Sequence, residues 1–128
     1  MREICQVKSL PKPKFRYNSL IRAGDFYYTA GMIGLDTSGN LAPGGVKAET
    51  RAILKSLMGS LEELGMTLDN LVSARIYSVD FNEFPEINRE WEAVFEEGIE
   101  PPVRTSIGVA ALPLGARVEM EFVLYRTR

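Results

Sequence analysis

The sequence predicts an α+β fold, with two helices on one face of a mixed sheet. Two stretches carry apolar residues at helical spacing. Aromatic and β-branched runs of strand length precede, separate and follow them, and turn residues mark most of the junctions. The implied order is β-β-α-β-α-β-β over 128 residues. That length suits one domain, 1–128, with a core of its own.

Taken in order, Leu10-Pro11-Lys12-Pro13-Lys14 is a proline-punctuated, extended lead-in. Residues 19–22 and 26–30 are rich in aromatic and β-branched side chains around Ala23-Gly24-Asp25, which predicts a hairpin. Gly31 follows directly, and a turn-rich loop with four glycines and Pro43 runs over 34–45. Over 46–64, Ile53, Leu57, Leu61 and Leu64 fall on one helical face with Leu54 and Met58 beside them. Lys47, Arg51, Lys55 and Glu62 face water, and Gly65 stands where a C-terminal cap belongs. Val72, Ala74, Ile76 and Tyr77 predict a strand over 71–79. Asp80-Phe81-Asn82 opens a second helix with the stripe Phe84, Ile87, Trp91, Val94 and Phe95, closed by Gly98. Two strands end the chain, over 104–109 and 117–126. In the last, Val118, Met120, Phe122 and Leu124 point one way, with Glu119, Glu121, Val123 and Tyr125 opposite. Two helices cannot cover both faces of such a sheet, so the chain is expected to associate with copies of itself.

Composition narrows the chemistry. Hydrophobic residues make 45%, charged residues 25%, and the net charge is −2, which argues against general affinity for nucleic acid or anionic membranes. No apolar run approaches the roughly 20 residues a membrane helix needs, and Met1-Arg2-Glu3-Ile4 lacks the apolar stretch of a signal peptide. A cytoplasmic location is expected. Cys5 is the single cysteine, read as a packed, inert thiol in a reducing compartment. With no histidine, and carboxylates without ligand spacing, no metal is expected. Gly44-Gly45 is not a phosphate loop, since no Gly-Lys pair follows at the required distance.

The richest segment is Pro101-Pro102-Val103-Arg104-Thr105-Ser106, followed by Val118-Glu119-Met120-Glu121. Arg104 either pairs with Glu119 or Glu121 across neighbouring strands, or offers its fork of donors to a small carboxylate held beside Ser106. Glu119 is either a solvated strand residue or, partly buried, a group that orients a water and takes its proton. Tyr17 reads equally as a core aromatic or a phenol in a cleft. Asn88, one residue past Ile87, is unfavourable inside a helix unless it has a specific hydrogen bond to make.

Tyr17, Thr29-Ala30-Gly31-Met32-Ile33, Asn82-Glu83-Phe84 with Ile87-Asn88, Pro102-Val103-Arg104-Thr105-Ser106, Ala111-Leu112-Pro113 and Val118-Glu119-Met120-Glu121 occur in that order. Together they resemble the RidA/YjgF family of reactive-intermediate deaminases over nearly the whole chain. The resemblance implies a chorismate-mutase-like fold in a homotrimer with an inner β-barrel and clefts between subunits. It also implies hydrolysis of enamines and imines such as 2-aminoacrylate to 2-keto acids and ammonia, without a cofactor. In that scheme Arg104 clamps the substrate carboxylate and Glu119 holds the attacking water. Gly31 and the backbone around Ser106 contact the reacting group, while Tyr17, Ala30 and Asn88 shape the pocket. Ala30, Met32, Ser106 and Phe15-Arg16 depart from the commonest family pattern, which leaves the substrate preference open. The alternatives are a trimeric protein that binds 2-keto acids without turnover, a deaminase confined to one degradation pathway, and, against the lack of histidine and the acidic balance, a ribonuclease.

Overall fold

A computed structural model describes residues 1–127. Among them the chain runs β1 (Arg2–Ile4), β2 (Leu20–Ala23), β3 (Phe26–Thr29), α1 (Gly45–Leu64), β4 (Leu71–Ser78), α2 (Phe84–Val94), β5 (Val103–Gly108) and β6 (Val118–Tyr125). Every element expected from the sequence is present. β1 is additional: its three residues are all exposed, so no alternation marks it.

Helix α1 forms on the expected stripe, burying Val46, Ile53, Leu54, Leu57 and Leu61. Burying a side chain of this kind contributes roughly 1.5–3 kcal/mol. The helix ends at Gly65 (φ 69°), whose N–H reaches the carbonyls of Leu61 and Glu62. A side chain would be strained at that φ. Met58, expected beside the stripe, is 41% exposed. Glu49, Thr50 and Ser60 are buried instead. Ser60 donates to the Ser56 carbonyl, and Glu49 accepts from the backbone N–H of Arg117 at 2.9 Å. Helix α2 is preceded by a 3-10 turn over Phe81–Glu83, where the Asp80 carboxylate accepts from Asn82 N–H. It stops at Val94 and does not run on to Gly98.

The strand order is β1-β2-β3-β6-β4-β5, with β4 and β5 parallel and the other neighbours antiparallel. One consequence corrects the sequence reading. β5 and β6 are consecutive in the chain, yet β4 lies between them, so Arg104 has no cross-strand pairing with Glu119 or Glu121. The reason is topological: the crossover through α2 sets β5 parallel on the outer side of β4, and β6 returns to fill the centre.

On the helix side of the sheet Leu20, Tyr27, Ala74, Ile76, Val118, Met120, Phe122 and Leu124 are buried with the apolar stripes of α1 and α2. Side chains on the other side are less covered. Phe26, Tyr28 and Tyr125 are 39%, 47% and 38% exposed, and the Phe26 and Tyr125 rings pack at 5.0 Å between centroids. The uncovered face anticipated from the last strand is therefore a feature of the single chain. No helix of the described residues is long and apolar enough to cross a membrane.

Candidate active site

Directly paired strand residues share a face. Ala74 of β4 pairs with Arg104 on one side and with buried Phe122 on the other, so Arg104 points to the helix side. There α2 receives it. The Asn88 Oδ1 accepts from Arg104 Nη2 at 2.7 Å, and the Arg104 guanidinium carbon stands 5.5 Å from the centre of the Trp91 ring. Asn88 and Trp91 are three residues apart, hence on one helical face. Among the described residues Arg104 forms no ion pair. Burial lowers its guanidinium pKa, with Glu92 acting weakly in the opposite sense. This arginine is half-buried, oriented by a neutral amide and an aromatic ring, and left to attract an anion. Ser106 lies two residues along β5, opposite Ile76 and exposed. β5 is an edge strand, so its outer backbone groups have no strand beside them.

Glu119 belongs to the other face. It pairs with Tyr77, which pairs in turn with Ile107 of β5, out of phase with Arg104. Burial raises its carboxyl pKa above the ordinary value of 4.5, and the nearby Glu121 charge raises it further. The chain bends tightly against this carboxylate. Tyr28 faces Val123 and Met32 faces Met120, so four steps on one side answer three on the other. The extra residue is a bulge over 29–31, where the Thr29 hydroxyl accepts from Phe122 N–H at 2.9 Å. Gly31 sits in it so close that a Cβ there would stand 2.8 Å from Glu119 Oε2. Next to it, Tyr17, Ala30 and Gly31 join Leu10, Pro11, Ser19 and Met32 around a cavity of about 20 Å³, room for one water. Tyr17 itself is 50% exposed, which excludes a core role in the single chain.

The residues singled out in the sequence thus form two groups. Arg104, Asn88 and Ser106 gather on the helix side at one sheet edge, while Glu119, Gly31, Ala30 and Tyr17 gather on and beside the opposite face. The first group can hold a carboxylate; in the second, Glu119 is a carboxyl able to exchange a proton, and Gly31 links it to a water-sized cavity that Glu119 itself does not line. A concavity of about 1530 Å³ between the lead-in, loop 35–42 and α1 contains none of them. Among the described residues no three His, Cys, Asp or Glu side chains gather as a metal cage.

A family model described as Endoribonuclease L-PSP, the RidA/YjgF group, matches residues 7–125. The chain belongs to the RidA/YjgF family. A RutC family protein from Pyrococcus horikoshii is 31% identical over 127 residues, spanning 98% of this chain and 99% of that one. The mouse protein named 2-iminobutanoate/2-iminopropanoate deaminase is 32% identical over 124 residues, spanning 96% and 90%. Among solved structures, a Rid-family protein of unknown function from Yersinia pestis is 27% identical. It superposes with a TM-score of 0.91 over 98% of this chain and 100% of that one. The α+β layout with two helices on one sheet is thus the layout of Rid-family structures.

Two groups at this RidA-type site escaped the sequence reading. Trp91 belongs to the apolar stripe of α2 and at 6% exposure is buried, but its ring also supports Arg104. Its three-residue offset from Asn88 was the available signal. Tyr77 reads from the sequence only as a strand residue, yet its hydroxyl donates to Glu121. Alternation along β4 would have placed it on the Glu119 face only once the strand order was known.

Proposed function

We propose that the protein hydrolyses reactive imines and enamines of small 2-amino acids to 2-keto acids and ammonia. One observation carries the reading: Arg104 is a half-buried guanidinium supported by Asn88 and Trp91 and free of any ion pair among the described residues. A bound carboxylate would relieve the burial of that charge, and a bidentate Arg–carboxylate pair would fix the substrate's orientation. The deaminase name of the mammalian relatives gives independent support.

In the proposed reaction an enamine first tautomerises to its imine. The imine nitrogen takes a proton from solvent, and water then adds to the imine carbon while Glu119 takes a proton from that water, giving a carbinolamine. Glu119 returns that proton to nitrogen and the C–N bond breaks with its electron pair leaving on ammonia. The hydroxyl oxygen closes the carbonyl, and its proton leaves with the ammonia as ammonium. An imine is already electrophilic, so a positioned water and one base suffice. Gly31, Ala30, Tyr17 and Ser106 shape the cleft in this scheme.

Arg104 and Glu119 occupy opposite faces of one sheet. The proposal therefore includes a homotrimer in which Arg104 of one subunit meets Glu119 of the next. Ribonuclease chemistry is not proposed, because the chain has no histidine and a net charge of −2.

The test supplies an imine made in situ by a dehydratase or an amino-acid oxidase and follows its loss. Arg104→Ala is expected to lower kcat/KM by about 100-fold or more. An unchanged rate would remove the assigned clamp. Co-expressing Arg104→Ala and Glu119→Gln subunits is expected to restore part of the rate, since mixed trimers regain some intact clefts. No restoration would place both groups in one subunit's cleft.

A further inference from the structure

Glu119 has a second carboxylate beside it. Glu121 is two residues along β6, on the same face, and β4 supplies both of its partners. The Tyr77 hydroxyl donates to Glu121 Oε1, and Arg75 Nη1 lies 3.7 Å from that same oxygen. Tyr77 is also the residue directly opposite Glu119. One tyrosine is thus seated across from one carboxylate while its hydroxyl is committed to the other. The same face carries the phenol of Tyr28 from β3, and Tyr17 lines the cavity beside Gly31.

We propose that Tyr77 and Arg75 are positioning residues that hold Glu121 as the fixed negative member of a carboxylate pair, so that Glu119 is the member that exchanges the proton with water. This rests on the hydrolysis proposed above. Two like charges on neighbouring carboxylates cannot both be equally at ease, and whichever lacks partners holds a proton more readily. Glu121 has a hydroxyl donor and a guanidinium. Glu119 has a glycine, with no side chain, pressed against it and no hydrogen-bond donor among the described residues, and its pKa is raised by burial and by Glu121. The arrangement assigns one carboxylate to structure and charge, the other to proton transfer. It also makes the acid limb of the rate profile depend on a residue that never touches substrate.

The test measures kcat and KM against pH for wild type, Glu121→Gln and Tyr77→Phe, with the Glu119 carboxyl followed by carbon-13 NMR in each. Removing the Glu121 charge removes the repulsion, so Glu119 releases its proton more easily. In Glu121→Gln the acid limb and the Glu119 titration are expected to move together to lower pH, with KM on the plateau unchanged because Arg104 is untouched. Tyr77→Phe is expected to lower plateau kcat about tenfold, again without a change in KM. A purely structural role would lower the melting temperature and kcat while leaving the limb in place, and that result overturns the inference. So does a Glu119 titration that does not respond to Glu121→Gln. Wild-type protein that fails to hydrolyse imines overturns the proposed function itself. Wild-type activity that Glu119→Gln abolishes, with an unmoved limb in Glu121→Gln, overturns only the positioning role.

Discussion

Arg104 and Glu119 are both partly buried, and burial disfavours the charged form of each. The difference is in their company. Arg104 has an amide and an aromatic ring, which orient it without neutralising it, whereas Glu119 has Glu121 as a repelling neighbour. A raised carboxyl pKa carries a stability cost whose sign follows from proton linkage. The folded protein binds the Glu119 proton more tightly than the unfolded chain. That stabilisation is complete below the ordinary value of 4.5 and is lost as pH rises through the raised folded value. Glu119→Gln is therefore expected to melt at a higher temperature than wild type at neutral pH, with the gap narrowing toward acid. Thermal melts across pH check this, and a variant less stable at neutral pH would contradict it. At this scale Asn88 was legible in the sequence, because a helix-interior amide next to an apolar stripe needs a reason. The relation between Arg104 and Glu119 was not, since chain proximity suggested a pairing that the sheet order forbids.

Among the elements, both helices were legible because their stripes have a period and are long enough to display it. Boundaries were less so: α2 starts only after a 3-10 turn over Phe81–Glu83 and ends at Val94, before Gly98. β1 and the bulge over 29–31 were invisible, the first for lack of any buried residue and the second because an extra residue leaves no mark of its own. The packing between loop and helix is testable at Gly34. A Cβ there would stand 2.3 Å from the Glu49 carbonyl oxygen and 2.6 Å from its Cα, and backbone atoms of a helix cannot move aside cheaply. Gly34→Ala is expected to destabilise the fold by about 2 kcal/mol or more, read by chemical denaturation. Glu49 also holds the Arg117 N–H at the entrance to β6. The same substitution should therefore disturb the strand that carries Glu119, and activity should fall with stability.

For the molecule as a whole, the sequence foretold an uncovered sheet face, and Phe26, Tyr28 and Tyr125 make it an aromatic patch. Water is a poor neighbour for so many rings, and self-association is the expected remedy. Tyr28→Lys places a charge in that patch while replacing a side chain already 47% exposed. It is expected to leave the circular dichroism spectrum unchanged but to shift the sedimentation coefficient from that of the proposed trimer toward monomer and to remove the proposed activity with it. A trimer that survives the substitution would locate the interface elsewhere. The opposed outlook of Arg104 and Glu119 has a further consequence, in the arithmetic of mixed populations. On the proposed ring each cleft borrows one half from each of two neighbours. A copy defective at Arg104 alone then silences one cleft of its ring, whereas a copy defective at both residues silences two. In a cell with two versions of the gene, the harm done by a faulty allele would depend on whether it damages one face of the sheet or both.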